Sequence, residues 1–331
     1  MLRSELPPLI RFLAAAWVLL AGAVVGSFLN VVIARLPAGQ SLIRPRSRCP
    51  GCGTPIAWYD NVPVISFLVL RARCRACRRP ISWRYPLVEA LGAAAAYLAY
   101  ARHGLGAAAL AELVLASILV ALAFIDLDTW LLPHSLTVPL IVTGVAASSA
   151  HLTPAGSPVP SLIGAVAGGG AFWLVAVIGQ RVFRKEAMGL GDVWLLAGIG
   201  AWMGHVALLP VVMFASFQGA IVGGVQVALG KGQPGPAPSP ADVAEGAPPP
   251  GPAAAPADPA ATPADPAATP PAAEPVSLPP ADEASGAEGD EPWVPPRHAI
   301  PFGPFLALGT LEWLYLSDVL ARAVPMLQPF V

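Results

Sequence analysis

Long apolar runs separated by short polar joints dominate this chain. Runs of spanning or near-spanning length occur at about 9–34, 86–101, 106–126, 131–150, 159–183, 190–203, 206–229 and 300–323. A bilayer core of ~30 Å takes roughly 20 helical residues, so the pattern predicts an all-α polytopic membrane protein with about eight transmembrane helices. The apolar stretch "VPVISFLVL" (62–70) is too short to span and is expected at the interface or as a core strand of a small module. Two polar stretches break the pattern. The expected organisation is a first transmembrane helix at 1–34, a polar module at 35–85, a helical core at 86–230, a linker at 231–297 and a last helix within 298–331.

Composition supports this class. Of 331 residues, 55% are hydrophobic and 12% charged, which excludes an ordinary soluble globule. The net charge of −1 hides a segregation: ten of the 19 Lys+Arg lie between Arg35 and Arg84, and ten of the 20 Asp+Glu between Asp242 and Glu291. Arg-rich short loops stay on the cytoplasmic side. Placing 35–85 there puts the 126–130 turn, the loop from Arg181 to Gly191 and the 230–299 segment on the same side by alternation. Arg181, Arg184 and Lys185 agree independently with that orientation. The N-terminal run lacks a convincing small-residue cleavage site and is read as a retained helix.

Residues 231–297 are rich in Pro and Ala, and acidic. Such a segment buries too little apolar surface to offset its ordering entropy and is expected to be a disordered tether. Its acids either screen the basic module or the segment is an inert insertion.

All four cysteines fall in the module, as Cys49-x2-Cys52 and Cys74-x2-Cys77. Two such knuckles supply four thiolates for a closed tetrahedral zinc site, which is structural because no coordination position remains for water. Paired disulfides are the rival and require an oxidising compartment; the flanking arginines favour the cytoplasm. So small a module would need its metal to fold. Its basic face would meet anionic lipid or an acidic partner, or act only as a topology anchor. No nucleic-acid partner is expected.

The acids in the apolar regions are few: Glu89, Glu112, Asp126, Asp128, Asp192, Glu312 and Asp318. Acids at membrane depth are costly and are functional suspects. Asp126 and Asp128 end one run in "FIDLDTWLLPH", and Asp192 opens another in "GLGDVWLL". By the topology above, both places lie at cytoplasmic helix ends. Two carboxylates a few ångströms apart cannot both ionise cheaply, so such a pair holds one proton and poises a water between acid and base. Gly189 and Gly191 would let the backbone bring Asp192 close to its partner. Helix caps, polar packing pairs or an ion pathway explain the same acids without catalysis. Spacing alone does not choose between Asp126 and Asp128, which point to different sides of a helix. The histidines are scattered, and no serine has a His/Asp partner nearby in sequence.

Six stretches then carry a resemblance: "GSFLNVVIARLP" (26–37), the paired CxxC module, "RYPLVEAL" (84–91), "FIDLDTWLLP" (124–133), "MGLGDVWLLAGIGAWMG" (188–204) and "IPFGPFLALG" (300–309). In this order they resemble the type IV prepilin peptidases, membrane aspartic enzymes also called leader peptidase/N-methyltransferases. The resemblance covers nearly the whole chain except 231–297. It implies a two-aspartate site facing the cytoplasm of the bacterial inner membrane, formed by Asp126 and Asp192. That site would cut the basic leader of type IV prepilins and of type II secretion pseudopilins. It also implies N-methylation of the new terminus with S-adenosylmethionine, with the cysteine-bearing region at 35–85 implicated. Residues 300–304 would support the two aspartates by packing rather than chemistry.

Three departures stand out. His134 follows Leu132-Pro133 where the family often has Asp; Ala72 stands before the third cysteine where many members have Gly; and 231–297 is an unusual insertion, though a cytoplasmic tether costs little in loop closure. The Ala72 departure leaves a peptidase without methyltransferase activity as an alternative. A transporter using intramembrane acids would instead show acids near the bilayer midplane and inverted repeats, neither of which is evident. A retired assembly protein would have no reason to keep both Asp126 and the GxGD stretch.

Overall fold

The computed structural model describes residues 7–183, 189–229 and 300–330. The linker expected at 231–297, together with Arg184, Lys185 and His298, lies outside them. Among the described residues the chain is mostly helical and contains no strand beyond two isolated bridges.

The helices are α1 (Pro8–Arg35), α2 (Ile65–Val69), α3 (Arg84–His103), α4 (Ala107–Thr129), α5 (His134–Ser149), α6 (Pro158–Phe183), α7 (Leu190–Met203), α8 (Leu208–Ala228) and α9 (Gly303–Ala323). Four of them, α1, α4, α6 and α8, are long and apolar enough to cross a membrane. The others are shorter or carry more polar residues. Each end has a local cause. Pro8 starts α1 at a position where its missing N–H costs nothing. Gly104 and Gly204 end α3 and α7 at φ of 73° and 78°, and Trp130 ends α4 in a left-handed conformation. Pro133 keeps Leu132 out of the helical region, so α4 and α5 are separated by a short extended turn.

Close packing is carried by small residues, as expected where lipid and side chains are equally apolar. Gly22 of α1 lies against Gly92 of α3, and Gly164 of α6 lies backbone to backbone against Gly200 of α7. Leu115, Leu119 and Leu122 of α4, Leu195 and Ile199 of α7 and Leu306 of α9 share the main core, while Leu29, Val32, Val88 and Ile125 form a second cluster joining α1, α3 and α4. Large apolar side chains such as Phe12, Trp17, Val166, Trp173 and Phe217 point outward.

The stretch at 62–70 is a short helix, not the strand that was one of its two expected forms. No strand partner is needed because side chains take up its free backbone groups. Ser66 Oγ accepts from Val62 N–H and donates to Tyr59 O, each at 3.0 Å, and Glu89 of α3 accepts from Val64 N–H at 2.7 Å.

Candidate functional site

The last turn of α4 separates its two aspartates. Residues two apart lie about 200° apart round a helix, and the neighbours decide which turns inward. Asp126 is 5% exposed, and its Oδ2 accepts the N–H of Gly303 at 3.0 Å. Asp128 is exposed and turns to α3, where Arg84 Nη1 lies 2.5 Å from Oδ2 and 2.7 Å from Oδ1. The same guanidinium donates to Phe124 O at 3.2 Å and lies over the Phe124 ring. Arg84 therefore grips the outer side of the turn whose inner side carries Asp126.

Asp192 stands in the first turn of α7, half-buried, with its own N–H on Gly189 O at 3.2 Å. A carboxylate there is favoured by the positive end of the helix. The neighbour of Asp192, Gly191, packs against Leu132, which also abuts Gly303, the residue that holds Asp126, so the two aspartates stand at one cluster of helix ends. No side-chain hydrogen bond involves Asp192 among the described residues.

Leu132 lies at the centre of this arrangement. A Cβ on Gly191 would come 2.8 Å from the Leu132 Cβ, and a Cβ on Gly303 would come 3.4 Å from its Cδ1 and 2.5 Å from Asp126 Oδ2. Gly191 and Gly303 are thus close-approach positions on either side of one leucine. Gly189 is different: its backbone is extended, and among the described residues a Cβ there would meet nothing closer than Gly191 N at 4.0 Å. His134, at the family's frequent Asp position, packs edge-on against Trp194 of α7 with ring centroids 5.4 Å apart.

The four cysteine sulfurs lie within 4.8 Å of one another, a group that could hold a metal ion, and Cys49 Sγ is 3.8 Å from Cys77 Sγ. Two matching turns build it. Each first cysteine donates its N–H across the turn, Cys49 to Thr54 O at 3.0 Å and Cys74 to Arg79 O at 2.9 Å. Each returns its carbonyl to a residue with positive φ, Gly53 or Arg78. The bridges Arg48–Pro55 and Arg73–Pro80 close the two turns. This symmetry is written in the sequence as "RCPGCGTPIAW" and "RCRACRRPISW", the pattern R-C-x2-C-x2-P-I-x-W repeated from Arg48 to Arg73. Asp60 joins the two halves by pairing with Arg75 at 2.6 and 2.8 Å. The Arg75 guanidinium holds the Asp60 carboxyl below its usual range.

Three contributors escaped sequence reasoning: the Gly303 N–H, Arg84, and Glu89 as the α3 group that receives the module. The first had a signal. A glycine opening a helix in "IPFGP" offers an N–H that has no partner within the helix. Residues 300–304 therefore bring a polar contact to Asp126 as well as packing.

Two family matches accompany this geometry. Residues 20–103 match the bacterial peptidase A24 N-terminal domain, and residues 113–224 match the type IV leader peptidase family. A prepilin leader peptidase/N-methyltransferase of Myxococcus xanthus is 44% identical over 98% of this chain and 97% of its own length. Its namesake in Klebsiella pneumoniae is 43% identical over 62% of this chain and 92% of its own. That of Neisseria gonorrhoeae is 36% identical over 64% and 82%. No solved structure matches the chain at a significant level.

Proposed function

The chain belongs to the type IV leader peptidase family, and on that premise we propose that it cleaves the basic leader from prepilins and pseudopilins and methylates the new amino terminus. The observation that carries the cleavage reading is the buried Asp126, held by the Gly303 N–H, with Asp192 beside the Gly191 that approaches the same Leu132 as Gly303.

The two carboxylates share one proton and hold a water between them. The Gly303 N–H stabilises negative charge on Asp126, so the shared proton resides on Asp192. Asp126 then takes a proton from the water as the oxygen attacks the scissile carbonyl, and Asp192 gives its proton to the departing amine. Gly191 and Gly303 allow the two helix ends to approach across Leu132.

The topology follows from the charge pattern. Eight crossings, with the arginine-rich module inside, put Asp126 and Asp192 at the cytoplasmic edge of the inner membrane. A prepilin has a charged leader before an apolar helix lodged in the bilayer, so its scissile bond lies at that level. Lipid surrounds the helical core at 86–230, and the segment at 231–297 tethers the last helix.

Zinc is the metal that the four thiolates of Cys49, Cys52, Cys74 and Cys77 suit. A tetrahedron with Zn–S bonds of about 2.3 Å has edges of about 3.8 Å, the observed Cys49–Cys77 separation. The metal would close the two turns on each other and supply structure rather than chemistry.

The test is cleavage of a purified prepilin by the parent protein and by Asp126→Asn and Asp192→Asn. Loss of cleavage in both variants, with zinc content unchanged, supports the pair; undiminished cleavage by either removes it. Mass spectrometry of the product terminus, with and without S-adenosylmethionine, reads methylation.

A further inference from the structure

A separate cavity lies at the far ends of the helices that carry the aspartates. On α4, Glu112 stands roughly 21 Å along the axis from Asp126, at 1.5 Å per residue. Around it the end of α3, the turn after α5 and the end of α7 enclose a space of about 240 Å³, whose polar walls include Arg102, His103, Glu112, Thr153 and Trp202. That is several times the ~30 Å³ share of one water. Thr153 and Trp202 are satisfied within the protein: Thr153 Oγ1 lies 2.6 Å from Ser148 Oγ, and Trp202 Nε1 donates to Leu140 O at 2.9 Å. Glu112 is not. It is 5% exposed, and its Oε2 meets both Arg102 Nη1 at 3.3 Å and His103 Nε2 at 2.8 Å, while Oε1 is buried with no hydrogen-bond partner among the described residues. A buried carboxylate oxygen without a donor is costly. Arg102 has the opposite imbalance. Its Nη1 also donates to Leu314 O at 2.7 Å, but Nε and Nη2 have no acceptor among the described residues, and the side chain is partly exposed.

We infer that this cavity binds the headgroup of an aminophospholipid, its primary ammonium donating to Glu112 Oε1 and its phosphate accepting from Arg102. A lone anion would face the Glu112 carboxylate, and a lone cation would face the Arg102 guanidinium. A group that carries both charges a few bonds apart answers each with a charge-assisted hydrogen bond. The ammonium must keep its N–H bonds, because the orphan oxygen needs a donor and a fully methylated nitrogen has none to give. The acyl chains have apolar surface beside them: Leu105, in the turn between α3 and α4, and Leu110 of α4 are both exposed. Arg102 reaches Leu314 O and lies over the Tyr315 ring, 5.6 Å from its centroid. A headgroup seated on Arg102 and Glu112 therefore fastens α3 and α4 to α9 at the end away from Asp126. Neither cleavage nor methylation is required for this binding.

The experiment delipidates the full zinc-loaded chain in detergent. It titrates the chain with phosphatidylethanolamine, phosphatidylcholine and phosphatidylglycerol of identical acyl chains, reading bound lipid by native mass spectrometry. The parent and Asp126→Asn should bind phosphatidylethanolamine at least tenfold more tightly than either of the others. Glu112→Gln keeps a carbonyl for Arg102 and His103 but loses the charge, and should lose the preference; unchanged zinc content and leader cleavage confirm that it is folded. A phosphatidylethanolamine with a photoreactive group beside its phosphate should label peptides within 99–115 or 149–157 of the parent, a readout that needs no variant. Equal affinity for the three lipids would mean that water alone fills the cavity and overturns the inference. So do a preference that survives Glu112→Gln, label confined to residues 35–85, and displacement of the lipid by an equal concentration of soluble glycerophosphoethanolamine. Each of these outcomes leaves the peptidase reading untouched, since cleavage is measured on the same protein.

Discussion

Gly303 and Asp126, 177 residues apart in sequence, meet in a 3.0 Å hydrogen bond in which the backbone N–H donates to Oδ2. The same glycine has no room for a side chain, because a Cβ would stand 2.5 Å from that oxygen. Gly303→Ala should displace Asp126 and lower the kcat of leader cleavage on the order of 10²-fold, the scale of a 1 Å misplacement. Steady-state kinetics with a prepilin checks this, and KM should change less than kcat.

Asp126 and Asp128 should separate cleanly in mutagenesis. Removing a group that transfers a proton costs about 10²–10⁴-fold, so Asp126→Ala should lose at least that much cleavage. Asp128→Ala breaks only the partly exposed pair with Arg84 and should stay within about tenfold of the parent. Equal losses in the two variants would count against the inward assignment of Asp126.

Chelation should unfold the cysteine module while the membrane helices persist. A two-knuckle module without its metal has little core of its own, so stripping zinc should expose residues 44–83 to limited proteolysis. Metal analysis should find one zinc per chain in the parent and less in Cys74→Ser.

The Asp60–Arg75 pair predicts a pH dependence. Arg75 depresses the folded pKa of Asp60, so the stabilisation is complete above the ordinary carboxylate range and disappears as pH falls through the depressed value. Asp60→Asn should therefore weaken the module only slightly at pH 7, since Arg75 is largely exposed. Hydrogen exchange of residues 58–77 at pH 7 and in acid should show that difference shrinking as pH falls.

Ala72 adopts φ +57°, a left-handed conformation that costs a non-glycine residue roughly 1–2 kcal/mol. Its carbonyl accepts from Ile81 N–H at 2.7 Å and its N–H bonds to Phe67 O at 2.9 Å, so the strand of chain leading to Cys74 depends on that shape. Ala72→Gly should raise the melting temperature of the module, measured by proteolysis against temperature, without altering zinc content. The departure from the family's glycine thus has a conformational meaning.

The length and composition of the apolar runs determined the helix plan almost unaided. The runs expected at 106–126 and 190–203 are Ala107–Thr129 and Leu190–Met203, because stretches of such apolarity ended by glycine, proline or polar residues have few alternatives. The paired CxxC spacing likewise announced four sulfurs able to converge. Local spacing could not decide what lies opposite each side chain. Whether Asp126 or Asp128 faces inward depends on Gly303 and Arg84, residues from two other helices. Whether 62–70 is strand or helix depends on Glu89, which takes a backbone N–H that a neighbouring strand would otherwise have to satisfy. The cavity beside Glu112 exists only where the ends of α3, α4 and α7 come together. An apolar run states which residues avoid water; partners distant in the chain, brought close by helix packing, decide which polar group each one meets.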